Sequence, residues 1–117
     1  SARARLENIE IVETVWSDLE KYGAARIPND SLNHAFLINT LFQTTDHLNV
    51  LKEAYRLLRH GGRLTVVEWL PSGVPFGPPV ERRVRPDALE LQANQAGFKT
   101  SSRFSVGPYH YALIFEK

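Results

Sequence analysis

Two hydrophobic periods stand side by side in the middle of this chain. From Asp46 to Leu58 the apolar residues Leu48, Leu51, Ala54, Tyr55 and Leu58 recur at steps of three and four, the spacing that draws one stripe down a helix. Lys52, Glu53, Arg56 and Arg59 fill the opposite side. Thr45 or Asp46 supplies the cap oxygen for the free first-turn amides. Arg56, Arg59 and His60 sit where the helix dipole favours cations, and Gly61 can take the left-handed conformation that closes the helix. From Arg63 to Trp69 the period drops to two, which predicts a strand with Leu64, Val66 and Glu68 on one face and Thr65, Val67 and Trp69 on the other.

The flanking segments extend this unit. His34 to Ile38 is a short, nearly continuous apolar run with a polar end at Asn39, as expected for a strand covered on both faces. Strand, helix, strand implies a right-handed parallel crossover. Further upstream, Ile9, Ile11, Val12, Val15 and Trp16 predict another strand, and Ser17 to Asp30 a loop. Ser1 to Glu7 reads as the tail of a helix, and the sequence contains no methionine, which together suggest that residues preceding Ser1 were removed or lost. Downstream, Pro71 to Pro79 holds four of the seven prolines and predicts an irregular loop at the ligand-facing edge of the sheet. Pro86 opens a second helix with the stripe Leu89, Ala93 and Ala96, and Gly97 with Phe98 closes it. Phe104 to Val106 and Tyr109 to Phe115 flank Gly107-Pro108 as a terminal antiparallel hairpin.

Composition narrows the function classes. At 117 residues the chain fits one α/β domain over residues 1–117, large enough for a real core. No apolar run is long enough for a membrane span, and the first residues lack the apolar centre of a signal peptide, so a cytoplasmic setting is expected. There is no cysteine, and His34, His47, His60 and His110 show no ligand spacing, so no metal site is expected. A net charge of +1 gives no bulk case for nucleic acid, and the run Glu81-Arg82-Arg83-Val84-Arg85 reads as solvated surface.

Several strings then match a family. Asn8-Ile9-Glu10 through Asp18, Ile27-Pro28-Asn29-Asp30-Ser31-Leu32-Asn33, Leu51 to Arg63, Ala96-Gly97-Phe98 and Tyr111 to Lys117 resemble, in order, the C-terminal portion of class I S-adenosylmethionine-dependent methyltransferases. The resemblance is nearest to the small-molecule branch that includes the quinone-biosynthesis enzymes. It implies a partial Rossmann-like sheet holding strands 3, 4, 5, 6 and 7 of the family order 3-2-1-4-5-7-6, with helices packed on it and the C-terminal hairpin included.

The resemblance also implies sites. Asp18 falls where the family's carboxylate accepts the adenine amino group, with Leu19 beside the ring; read without the family, Asp18 is a helix cap or turn residue. Asn39, Thr40 and Leu41 fall against the cofactor, while Phe42, Trp69 and His110 are candidates for the methyl acceptor, with Glu68 and His110 also open to a structural reading. No catalytic base is identified, because methyl transfer rests mainly on alignment. Two departures matter. No G-x-G occurs before Gly61, so the family's glycine-rich cofactor turn is missing, and Asn33 stands where the family usually has Asp. S-adenosylmethionine is therefore the implied cofactor, with weak or no binding expected from this chain alone. Family strand 4 would be left as an apolar open edge, so a homo-oligomer or a complementing chain is expected to complete it. Two functions stay open: a methyltransferase whose cofactor half lies elsewhere, and a non-catalytic remnant serving as a binding or assembly module.

Overall fold

The computed structural model describes residues 28–71 and 75–117. The strand expected over residues 9–16 lies outside them. β1 spans Leu32–Ile38, α1 His47–Leu57, β2 Leu58–Trp69, α2 Pro86–Ala96, β3 Lys99–Val106 and β4 His110–Glu116, with 3-10 turns at Leu41–Gln43 and Val80–Arg82. The strands form one four-stranded sheet in the order β1-β2-β4-β3. β1 and β2 run parallel, and β4 is antiparallel to both β2 and β3. This is the mixed, partial Rossmann-like arrangement expected for family strands 4, 5, 7 and 6.

Both helices lie on one face of the sheet. Leu37 of β1, Leu64 and Val66 of β2, and Leu113 and Phe115 of β4 point to that face and are buried against Val50, Leu51, Ala54 and Leu57 of α1 and Leu89 and Ala93 of α2. Burying each such leucine or valine contributes about 1.5–3 kcal/mol, so this layer is the main source of stability. Tyr55 and Phe98 meet edge to face at 5.1 Å and join α1 to the start of β3. Gly97, at φ +116, closes α2 in the left-handed conformation, with the Phe98 amide bonded back to Ala93 O at 3.0 Å. The Asp46 side chain caps α1 by accepting from the Asn49 amide.

Three expectations are corrected. α1 ends at Leu57, and Leu58 is already extended, because Leu58 pairs with Leu32 and is fully buried there. A buried leucine in the ladder outweighs one further helical turn. Arg59 and His60 are thus outside the helix, and Gly61, although left-handed at φ +81, donates to Lys117 O at 3.1 Å within the sheet. The inward stripe of α1 includes Val50, Leu57 and also Glu53, while Leu48 and Tyr55 are half-buried. Glu53 tolerates burial because it is ion-paired with Arg56, which reaches Asn29 Oδ1 at 2.8 Å. Finally, β3 begins at Lys99 rather than Phe104. Every β3 side chain is exposed, so its first half has no apolar pattern to read.

The opposite face is different in kind. Register places Phe36 and Ile38 of β1, Thr65 and Val67 of β2, Ala112 and Ile114 of β4, and Phe104 of β3 on it. Among the described residues no helix covers this face, and Ile38 and Phe104 are 48% and 46% exposed.

Candidate functional site

The carboxyl ends of β1 and β2 and the amino end of β4 meet at one end of the sheet. Asn39, just past β1, donates its amide to Val67 O at 2.8 Å, and Trp69 closes β2 directly opposite His110 of β4. Ligands of open α/β sheets bind outside such strand ends.

The chain turns sharply there. Asn39 has φ +53, a left-handed value that asparagine tolerates better than most residues, and Thr40 returns to the right-handed region. Short contacts hold the turn: Thr40 Oγ1 donates to Ile38 O at 3.2 Å, and Gln43 Nε2 to Asn39 O at 3.2 Å. His47 Nε2 lies 2.7 Å from Leu41 O and 3.1 Å from Thr44 O.

The remaining amides of the turn face a carboxylate. Glu68 is fully buried, its Oε2 accepting from the Leu41 amide at 3.2 Å and its Oε1 from the Phe42 amide at 3.3 Å. Burial pushes its carboxyl up to about 7, while the amides of Leu41, Phe42 and Thr40 pull the other way. Tyr111 faces Glu68 across the β2–β4 ladder. Burial and then the Glu68 charge raise its hydroxyl well above the ordinary range, and that hydroxyl donates to Val84 O.

A second cluster stands beside this turn. Trp69 lies against His110, with ring centroids 4.3 Å apart, and meets Phe76 edge-on at 6.1 Å; Phe76 packs on Tyr109 at 4.7 Å. Gly77, at φ +98, sits so close that a Cβ would come within 2.9 Å of the Trp69 ring. Arg83 fastens the same loop, its guanidinium donating to Phe76 O at 2.9 Å, Pro78 O at 2.9 Å and Leu70 O at 3.3 Å. A cleft of about 370 Å³ opens nearby, lined by His47, Pro71, Arg83, Val84 and Gln92 among others.

The structure therefore brings Asn39, Thr40, Leu41 and Phe42 together on one turn and sets the Trp69 and His110 rings against each other, tilted by 42°, at the same end of the sheet. Asp18 and Leu19 lie outside the described residues. The Leu41 side chain belongs to the core, whereas Phe42 is half-buried. Asn39 Oδ1 and His110 Nε2 are buried without a hydrogen-bond partner. The inward Glu68 side chain bonds the turn rather than solvent, which favours its structural reading. Sequence reasoning missed Arg83 as a clamp, Tyr111 as a buried donor and the need for glycine at position 77. The only signal for the Glu68 contact was an acidic residue in phase with Leu64 and Val66.

No group of His, Asp and Glu among the described residues is placed to hold a metal ion. No described helix is long and apolar enough to cross a membrane.

No protein-family model matches the sequence, and no curated protein is a match for it. Solved structures do match its fold. A SAM-dependent methyltransferase from Aquifex aeolicus is 20% identical with a TM-score of 0.74, over 81% of this chain and 50% of its own. A Sulfolobus solfataricus protein described as a type 11 methyltransferase is 23% identical with a TM-score of 0.72, over 96% and 65%. The [4+2]-cyclase SpnF is 16% identical with a TM-score of 0.70, over 86% and 53%. The chain thus spans about half to two thirds of the length of these structures. The fold is that of methyltransferase-like sheets, and the cyclase shows that this fold alone does not fix a reaction.

Proposed function

We propose that this chain carries the carboxyl-terminal part of a class I S-adenosylmethionine-dependent methyltransferase for small molecules, of the quinone-biosynthesis-like branch. One observation carries the reading. The strand order β1-β2-β4-β3, with its parallel and antiparallel pairs, matches the order that the sequence strings imply, and the tight turn at Asn39 to Phe42 stands at its ligand-facing end. In this reading a flat nucleoside rests against the backbone of the Asn39 to Phe42 turn, and none of the described residues is assigned to the amino acid end of the cofactor.

S-adenosylmethionine, when bound, supplies a methyl group already activated by its sulfonium. The protein's task is then orientation and exclusion of water. Asn39, Thr40 and Leu41 form the floor, Asp18 accepts the adenine amino group, and Phe42, Trp69 and His110 face the acceptor. The glycine-rich turn comes from segments beyond these residues, in the same polypeptide or another.

The open edge of β1 and the uncovered sheet face support completion by further protein. β1 has no outer neighbour among the described residues, and Phe36 and Ile38 are exposed on it. An open strand edge is a template for further pairing and an apolar face gains by leaving water, and a second chain or further strands would satisfy both. The same observation favours a second reading, in which the chain is a non-catalytic binding or assembly module.

Calorimetric titration with S-adenosylmethionine, run together with mass in solution, tests both readings. The isolated chain is expected to bind weakly or not at all, and a polypeptide that restores a preceding strand and G-x-G turn is expected to bind at micromolar levels. No binding by the restored polypeptide would remove the methyltransferase reading.

A further inference from the structure

The left-handed then right-handed sequence of Asn39 and Thr40 makes successive amides converge, the backbone concavity that binds anions in many proteins. Here the concavity is filled from within. Glu68 arrives from the last part of β2, 26 and 27 residues along the chain from the amides that it accepts. Its side chain lies on the core-facing side between Val66 and Tyr111, with no exposure to solvent. A carboxylate there costs desolvation, and leucine or valine would satisfy the local pattern of β2 better. The compensating gain is two amide hydrogen bonds that join the end of β2 to the turn after β1.

We propose that Glu68 is a positioning residue, an internal anion that latches the 39–42 turn and so sets the backbone on which a ligand rests. That last clause depends on the methyltransferase reading; the latch itself does not. Without the carboxylate, the amides of Leu41 and Phe42 lose their acceptor and the turn loses its reason to hold a left-handed asparagine. Protonation weakens the latch without removing it, since a neutral carboxyl keeps one accepting oxygen. Its raised carboxyl therefore makes the turn responsive near neutrality. The titratable groups that face this arrangement are Tyr111, which stays protonated, and His47, whose ring holds the Leu41 and Thr44 carbonyls.

The test uses the whole chain and no cofactor. Amide resonances of Leu41 and Phe42 are followed from acid to mildly alkaline pH, and are expected to move together with one midpoint near 7. Glu68→Gln leaves His47 in place and is expected to abolish that shared midpoint. Glu68→Ala empties the concavity, and added formate, but not chloride, is expected to return both resonances toward their original positions. Flat resonances in the unaltered chain, or a midpoint that survives in Glu68→Gln, would overturn the latch. In a polypeptide that restores the missing strands, Glu68→Ala is expected to weaken S-adenosylmethionine binding about tenfold, with formate recovering it. Formate-responsive resonances with unchanged affinity would support the latch and remove the cofactor floor.

Discussion

The ammonium of Lys117 lies 2.7 Å from Oδ1 of Asp30, joining residues 87 apart in the chain. The same nitrogen donates to Tyr55 O at 2.7 Å and sits 4.5 Å from the centre of the Tyr55 ring. Next to it, the Asp30 and Ser31 amides bond Arg56 O and Leu57 O, and Arg56 reaches Asn29. These contacts anchor the amino end of β1 to the end of α1, away from the turn at Asn39. Lys117→Met is expected to lose about 1.5–3 kcal/mol of stability in urea unfolding, the worth of charged hydrogen bonds to a mostly buried ammonium. The hydrogen bond from Lys117 holds the Asp30 carboxyl below its ordinary value, so whatever the ionised Asp30 contributes is present above the ordinary value and is lost as pH falls through the lower value of the folded chain. Equal acid sensitivity in the variant would show that the pair does nothing.

Glu68 has the opposite sign. Its carboxyl sits at about 7 in the fold against 4.5 ordinarily, so the folded chain binds that proton more tightly, and stability falls as pH rises between those values. The interval corresponds to on the order of 3 kcal/mol. His34, pulled down by burial and then by the charge of Arg63, works against this trend by costing stability as pH falls. The difference between the unaltered chain and Glu68→Gln isolates the Glu68 contribution. Urea unfolding at pH 5 and pH 8 is expected to show the variant relatively more stable at the higher pH, and parallel pH profiles would refute the assignment.

Tyr111→Phe removes a buried hydroxyl and strands the Val84 carbonyl. The expected loss is about 1–3 kcal/mol, the cost of an unsatisfied buried acceptor. Thermal unfolding checks it, and a neutral result would mean that Val84 O finds another donor.

Gly77→Ala combines a strained left-handed φ with a contact against the Trp69 ring. A cost of about 1–3 kcal/mol is expected. Because the loop carries Phe76 against Trp69, Trp69 emission is also expected to shift toward that of exposed indole. An unchanged spectrum would show that the loop can move without disturbing Trp69.

Ile38→Lys places a charge on the exposed side of β1, the device by which natural edge strands repel partners. It is expected to shift any self-association toward the monomer in sedimentation runs, with little change in unfolding. Association unaffected by this substitution would place the interface elsewhere.

Much of the fold was readable because its periods are strong. Leu64, Val66 and Glu68 fell on the buried face as the alternation implied, and Pro86, Gly97 and Phe98 marked the bounds of α2. What escaped depends on contacts between distant residues. Glu53 looks like a surface charge until Arg56, itself held by Asn29, pairs with it, and β3 carries no stripe because all its side chains meet solvent. At the candidate site, Asn39 to Phe42 and Trp69 with His110 were legible as strand ends. The joining of the two strand ends through Glu68 was not, since no local spacing relates residue 68 to amides at 41 and 42.

The two borders of the sheet are unequal. β3 presents Lys99 and Arg103, the latter paired with Asp87 and Glu90, and its register slips between Thr100 and Ser102. β1 presents Phe36 and Ile38 instead. Among the described residues one border is receptive and the other guarded, so a pairing of two copies through β1 would leave only guarded borders outward and would stop at two.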